Sequence, residues 1–212
     1  VSGFLPWLAQ TIQQPGWSGI VQGLVFFAAL SLPVNLFQIP FDLYDTFIIE
    51  NRYGFNTKTL RLWIADLLKG LVLSALLGGI LLGLFLSLAT HGGKYWWLWA
   101  WVFVGAFELL MMWMYPVILA PLFNKFVPVE NPELVRRIEA LMQKAGLRSK
   151  GVFKMDASRR SRHTNAYFTG LGRSKRIVLF DTLMDAHTPG EIEAVLAHEI
   201  GHWKKKHILK QL

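Results

Sequence analysis

The sequence predicts a multi-span α-helical membrane region followed by a basic α+β domain, and three observations support this fold class. First, 53% of the 212 residues are hydrophobic and only 17% are charged, with a mean hydropathy of +0.35. Soluble globular domains average about 25% charged residues. Second, no charged residue precedes Asp42. Third, from Asn124 onward 17 Lys and Arg outnumber 9 Asp and Glu, so the net charge of +8 falls on this part.

Three apolar stretches are long enough to cross a bilayer, which takes about 20 residues. They cover roughly residues 19–39, 71–89 and 95–123. An amphipathic lead-in from Leu60 precedes the second stretch, and the third begins with four Trp residues that are typical of an interfacial aromatic belt. We therefore predict a membrane-helix domain over residues 1–123. Buried helices of a large soluble protein are the alternative.

The loop charges predict how the spans are oriented. The 42–62 loop carries three basic residues and the 91–94 hairpin carries one. The part of the chain after Asn124 has a net positive charge. The positive-inside rule places the 42–62 loop and the C-terminal part in the cytoplasm, which three crossings allow. In a bacterium this would be the inner membrane. The first stretch lacks the basic start and the cleavage site of a signal peptide, and the start at Val1 within apolar sequence indicates a fragment.

Residues 124–212 have the pattern of a globular α+β domain. Asn131, followed by Pro and Glu, predicts a helix start, and Gly146 predicts the end of that helix. Residues 152–155, 165–169 and 176–180 are strand candidates for a hairpin or small sheet. Thr188-Pro189-Gly190-Glu191 is a capping box that opens a helix expected to run to the chain end. Cysteine is absent, so any metal must be held by His, Asp or Glu.

The last predicted helix contains the sequence His198-Glu199-Ile200-Gly201-His202, an H-E-x-x-H motif. Residues four apart lie on one helix face, so both imidazoles can reach a single Zn²⁺ ion. Glu199 lies next to the first ligand, where its carboxylate can act as a general base toward water. The motif predicts a metal-dependent hydrolase with His198 and His202 as ligands and Glu199 as the catalytic residue. A helix that contains these letters by chance is the alternative.

The third metal ligand is not evident in the sequence. A motif extended by x-x-G-x-x-H would require glycine at position 205 and histidine at position 208, where the chain has Lys205 and Ile208. Four other side chains are poorly placed by helix periodicity or by their position in a span: Glu108, Glu191, Glu193 and His207. We therefore expect the third ligand, a carboxylate, to lie beyond Leu212.

Three blocks of sequence resemble a known family. They are residues 41–55, ending in Ile49-Glu50-Asn51-Arg52-Tyr53-Gly54-Phe55; residues 161–170 with residues 175–183; and residues 198–203 with His207. Together they resemble the CAAX prenyl protease 1 family, integral-membrane zinc metallopeptidases with an N-terminal bundle of helices. This resemblance implies a zincin-like metallopeptidase domain at 124–212, a Glu as third zinc ligand on a later helix, and a chamber enclosed by seven helices. It also implies endoproteolysis in or beside the membrane.

The resemblance further implies that Asn165 and Ala166 contact the substrate. An extended segment next to the metal helix could bind a peptide by adding a strand, in which main-chain groups provide the contacts. A purely structural strand is the alternative. Glu108 is a functional candidate because a charge within a span is costly, and pairing with a residue on another helix is the alternative. The basic residues at 159, 160 and 162 are read as a solvated or lipid-facing cluster.

The leading interpretation is a membrane zinc endopeptidase that hydrolyses peptide bonds, and the resemblance implies that it processes the C-a-a-X ends of prenylated proteins. Its expected partners are the lipid bilayer and a peptide or protein substrate, and no nucleic acid, because no recognition motif accompanies the basic charge. A related membrane protease for protein quality control is the second interpretation. A non-catalytic membrane scaffold is the third, although a scaffold would not need the Glu199 carboxylate. The physiological substrate and the oligomeric state are not determined by the sequence.

Overall fold

The structure, a computed structural model, describes residues 3–13, 16–147, 149–169 and 176–204. For residues 202–204 it describes the backbone alone. The chain divides into two compact units. The first unit consists of Val1–Glu50 and Leu60–Leu109, and the second of Asn51–Thr59 and Leu110–Leu212. The loop between the first two predicted spans therefore belongs to the same unit as the C-terminal part. The division into domains 1–123 and 124–212 stays a prediction.

The apolar part of the chain is helical. Its helices are α1 (Phe4–Gln13), α2 (Gly19–Tyr44), α3 (Glu50–Arg52), α4 (Leu60–His91), α5 (Trp96–Met114) and α6 (Ala120–Phe123). Three continuous helical stretches of the described chain are long and apolar enough to cross a membrane: Gly19–Arg52, Leu60–His91 and Gly93–Phe123. The three predicted spans are thus confirmed as helices. The first extends beyond residue 39 because its helix tolerates Pro40 and continues through a π-helical segment, Asp45–Ile49.

The second unit contains a small mixed sheet. Its elements after α6 are β1 (Phe126–Pro128), α7 (Pro132–Lys144), β2 (Val152–Met155), β3 (Ala166–Thr169), β4 (Arg176–Phe180), α8 (Asp181–Ala186) and α9 (Pro189–Lys204). The strand order is β1-β2-β4-β3, with β2 parallel to β4 and the other neighbours antiparallel. The three predicted strands are confirmed, whereas β1 and α8 were not predicted because each is too short to show a periodic pattern. Strand β3 lies at an edge.

Strand β4 lies in the centre of the core. Its consecutive residues Ile177, Val178 and Leu179 are all at most 2% exposed. Ile177 and Leu179 lie in a core cluster with residues of α7 and α9, and Val178 lies in a second cluster with Met155 and Ala157. A continuous apolar run is the pattern expected of such a strand. Helices α7 and α9 pack against each other.

The predicted start and end of α7 and the predicted start of α9 are confirmed, whereas the predicted continuation of α9 to the chain end lies outside the described residues. The Asn131 side chain accepts hydrogen bonds of 3.1 Å from the backbone N–H groups of Glu133 and Leu134, and Gly146 adopts a left-handed conformation with φ of 72°. At α9, the Glu191 carboxylate accepts 2.8 Å hydrogen bonds from the Thr188 N–H and hydroxyl, and the Glu191 N–H donates to the Thr188 hydroxyl oxygen at 3.4 Å. This capping box fixes where the motif helix begins.

Candidate active site

Helix α9 carries His198 on the side opposite its buried side. Ile192, Leu196 and Ile200, which are spaced four residues apart, are between 0% and 5% exposed and anchor the helix in the core. At about 100° per residue, His198 lies roughly 200° from Leu196 and is accordingly exposed. The apolar anchor therefore faces away from His198. The packing of α9 in the core thus fixes the backbone position of the exposed His198.

Glu199 is partly buried on the flank of the same helix, between the anchored face and the exposed face. The backbone of α9 continues in helical form through position 202, one turn after His198, whereas the His202 side chain lies outside the described part of the chain. Within the described residues no three His, Cys, Asp or Glu side chains form a metal-ligand group. The helix geometry fits a pair of ligands one turn apart, and their identity stays a prediction, as does the predicted third ligand.

The other predicted site residues lie where β3 begins, and β3 packs against α9. Asn165 is exposed and Ala166 is 2% exposed. The Asn165 carbonyl accepts a 3.0 Å hydrogen bond from the Phe180 N–H, so its main chain is directed toward β4. In an antiparallel pair the direction of these groups alternates along the strand. The main-chain N–H and C=O groups of Ala166 and Phe168 therefore point to the outer edge of β3, which no described strand pairs with.

One of these outward groups has a side-chain partner. The Ala166 N–H donates to the Asn165 side-chain oxygen at 2.8 Å. The outer edge of β3 thus presents the Ala166 carbonyl, with an amide side chain at its start. Such an edge can accept an extended peptide. The structure brings Asn165 and Ala166 together at the strand that packs on the motif helix; their contact with a substrate stays a prediction.

Tyr167 is directed to the opposite face of the sheet. Its ring meets the Phe180 ring edge-on, with centroids 6.1 Å apart, and its hydroxyl donates to the Met155 sulfur at 3.7 Å. Burial, together with the nearby Tyr115, raises the pKa of Tyr167 to about 12. The phenol therefore stays neutral at physiological pH. Tyr167 thus fills the core beneath the edge strand and is not an acid-base group on the α9 side.

A segment that precedes β3 forms contacts which the sequence analysis did not assign. The loop residue Phe55 stacks on His163, with ring centroids 4.1 Å apart and an interplanar angle of 18°. The Thr182 hydroxyl at the start of α8 donates to the His163 carbonyl at 2.8 Å. The sequence feature that could have indicated a turn here, with an aromatic residue after it, is the Gly54-Phe55 pair that follows a short polar stretch. Two other predicted features, His207 and part of the second block at 170–175, lie outside the described residues.

The chain was compared with known families. A model described as "CAAX prenyl protease N-terminal, five membrane helices" matches residues 1–125, and a model of peptidase family M48 matches residues 128–212. The chain belongs to the CAAX prenyl protease family. This membership confirms the resemblance stated above, identifies the chain as part of an integral multi-pass membrane protein, and implies a metal cofactor. Three helices in the described part of the chain are long and apolar enough to cross a membrane.

Individual relatives agree with the family models. A Saccharomyces cerevisiae protein named CAAX prenyl protease 1 is 43% identical over 196 residues, which cover 92% of this chain and 43% of that protein. An Oryza sativa homologue is 42% identical over 89% of this chain and 44% of its own length. The crystal structure of S. mikatae Ste24p superposes with a TM-score of 0.90 at 41% identity, over 98% of this chain and 50% of that one. The chain spans about half the length of these relatives.

Proposed function

We propose that the natural protein is a zinc metalloendopeptidase that cleaves the C-a-a-X ends of prenylated proteins. The observation that carries this proposal is that α9, on which His198 is exposed, packs against β3, whose outer edge pairs with no described strand, in a chain of this family. The name of the yeast relative supports the substrate class. The charge pattern supports a cytoplasmic position for the peptidase part.

Each predicted site residue would have a separate role in the hydrolysis of the peptide bond. His198 and His202 would hold zinc, which supplies Lewis-acid catalysis at the scissile carbonyl when it is bound. The Glu199 carboxylate would take a proton from the attacking water and deliver it to the departing amine nitrogen. Partial burial of Glu199 on a packed helix restricts its side-chain conformations, which favours proton transfer because a well-oriented base needs little further ordering. The edge of β3 would hold the peptide extended.

Replacing Glu199 by Gln tests the proposed reaction in the complete natural protein. The amide keeps the size of the side chain and cannot accept the proton, so we expect cleavage of a prenylated C-a-a-X peptide to fall about 10²–10⁴-fold. The bound zinc, measured by elemental analysis, should be unchanged. Glu193→Gln, which removes a carboxylate from the same helix, is the matched control and should cleave normally. A Glu199→Gln protein that cleaves at the wild-type rate would show that the assignment is wrong.

Peptides that are methylated at single backbone nitrogens test whether the substrate adds a strand to β3. Each methyl group removes one N–H donor, and the donors of a paired strand alternate in direction. We expect methylation to slow cleavage at every second position within the paired stretch and to have little effect at the positions between them. The same pattern should be absent for methylated positions distant from the scissile bond. Uniform sensitivity along the peptide would contradict strand addition.

A further inference from the structure

We propose that Phe55, through its stack on His163, is a positioning residue for the substrate strand β3. The proposal rests on the proposed function, because it concerns how that site holds its peptide. Phe55 belongs to the loop between the first two long helices, and His163 lies three residues before Ala166. Both lie in the same compact unit of the structure. The loop would thus act on the site without touching the reacting groups.

The loop reaches this segment through a short antiparallel pairing. Gly54, with φ of 75°, closes a turn in which its N–H donates to the Asn51 carbonyl at 3.1 Å. The turn directs the following residues along the 160–162 segment. There the Arg162 N–H donates to the Phe55 carbonyl at 2.9 Å, and Asn56 forms an antiparallel bridge with Ser161. Main-chain bonds therefore fix the register of the two segments, and the ring stack lies at the end of the pairing.

The start of α8 also holds this segment. The Asp181 carboxylate accepts a 2.9 Å hydrogen bond from the Ser158 N–H, and the Thr182 hydroxyl donates to the His163 carbonyl at 2.8 Å. The segment leading into β3 is therefore held by the 51–59 loop and by the start of α8. Between Ser161 and Asn165 it has no regular secondary structure of its own. Segments with few internal contacts open locally at low free energy, so the contacts from outside decide how well it is ordered.

The position of this segment sets the geometry of the substrate edge. Only Thr164 separates His163 from Asn165, whose side chain holds the Ala166 N–H and whose carbonyl is bonded to Phe180. A shift of His163 would be transmitted to these two bonds through the covalent chain. A peptide paired with this edge is held by main-chain hydrogen bonds, which weaken steeply as their geometry departs from the ideal. Loss of the stack should consequently impair substrate positioning while the motif helix, which is anchored separately in the core, remains intact.

Hydrogen exchange in the complete natural protein measures this ordering without any cleavage assay. In Phe55→Ala the amides of residues 160–169 should exchange about fivefold faster, which is the effect of losing one stacked aromatic pair. Tyr53→Ala is the matched control, because Tyr53 is an aromatic residue of the same loop that is 69% exposed, and it should exchange like wild type. Unchanged exchange in Phe55→Ala would overturn the proposal.

Kinetics with a prenylated C-a-a-X peptide measure the consequence for the site. For Phe55→Ala we expect KM to rise about fivefold with little change in kcat, because strand pairing holds substrate and transition state alike. The zinc content should not change. Phe55→Tyr and His163→Phe both keep a stack and should behave like wild type, whereas His163→Ala should resemble Phe55→Ala. The double alanine variant should be no worse than either single one, because both remove the same contact.

The possible outcomes separate this proposal from the proposed function. If His163→Phe were as impaired as His163→Ala, the imidazole itself would be required and a positioning role through stacking would be overturned. An effect of Phe55→Ala on kcat alone would overturn it as well. If the wild-type protein held zinc and cleaved no peptide, the proposed function would fail, while the exchange measurement would still decide whether Phe55 orders the segment before β3.

Discussion

His198 and Glu199 are neighbours in sequence, yet helix geometry gives them different surroundings. His198 projects from the face opposite Leu196, whereas Glu199 lies on the flank and is partly covered. A ligand must be reachable by a metal ion, and a base benefits from restricted motion. The motif spacing predicted a shared helix face for His198 and His202. It did not predict the degree of burial of each side chain, because burial depends on Ile192, Leu196 and Ile200 finding a core elsewhere in the chain.

Removal of one imidazole should release the metal. In the complete natural protein we expect His198→Ala to lose most of its zinc after dialysis against a mild chelator, because one protein ligand of a catalytic site is removed. The measurement is metal content per chain. His91→Ala is a matched control, since His91 is an exposed histidine that contacts Thr90 and Ser87 at the end of α4. Retention of one zinc per chain in His198→Ala would show that this residue is not a ligand.

Elements with strong local signals were predictable from the sequence, and those defined by partners were not. The α7 start at Asn131 and the strand β4 were predicted because a cap and a continuous apolar run are local properties. Strand β1 was missed because its three residues acquire strand structure only by pairing with β2. The short helix α8 was missed for a similar reason. The edge position of β3 also depends on strand order, which the spacing of strand candidates does not determine.

The capping box of α9 should contribute measurably to stability. We expect Thr188→Ala to lower the free energy of unfolding by about 0.5–2 kcal/mol, since the residue satisfies backbone groups at the helix start. Thermal unfolding of the complete natural protein measures this. Thr188→Ser keeps the hydroxyl and should retain most of the stability. A Thr188→Ala protein as stable as wild type would indicate that the packing of α9 alone fixes its start.

The same cap should make stability depend on pH. The backbone hydrogen bond from Thr188 is the main reason that the pKa of Glu191 is lowered from its usual 4.5. A lowered pKa in the folded state stabilises the protein above pH 4.5, and this contribution is lost as the pH falls through the lowered pKa. We expect Glu191→Gln to be less stable than wild type at neutral pH and to approach it as the pH falls below the lowered pKa of Glu191. Glu193→Gln controls for general charge loss, and a pH-independent difference would contradict the prediction.

At the scale of the whole molecule, charge and apolar sequence are separated along the chain. Residues before Asn124 carry five basic and five acidic residues, and the remaining 89 residues carry the entire net charge. Composition therefore predicted the membrane region and the polar region, and the helices long enough to cross a membrane fall in the first of them. Composition could not predict that the 51–59 loop is part of the second compact unit, because that depends on contacts such as the pairing of Phe55 with Arg162.

The charge separation predicts the orientation of the chain in the membrane. We expect the 42–62 loop and the region around residue 150 to lie in the cytoplasm and the hairpin after α4 to lie on the other side, because cytoplasmic loops are enriched in Lys and Arg. The chain contains no cysteine, so single cysteines can report each location. Suitable exposed positions are Tyr53→Cys, His91→Cys and Lys150→Cys.

Labelling with a membrane-impermeant maleimide, in sealed vesicles whose cytoplasmic face is inside, tests this orientation. His91→Cys should react before the vesicles are permeabilised, and Tyr53→Cys and Lys150→Cys only afterwards. A protein with no introduced cysteine, in which any cysteine outside residues 1–212 is replaced, should not react, and labelling in detergent should show that all three positions are accessible. The two cytoplasmic reporters are separated by an even number of crossings, so they must agree with each other whatever the orientation. Reaction of Lys150→Cys in sealed vesicles would place the peptidase part outside the cytoplasm, where prenylated C-a-a-X proteins could not reach it without crossing the bilayer.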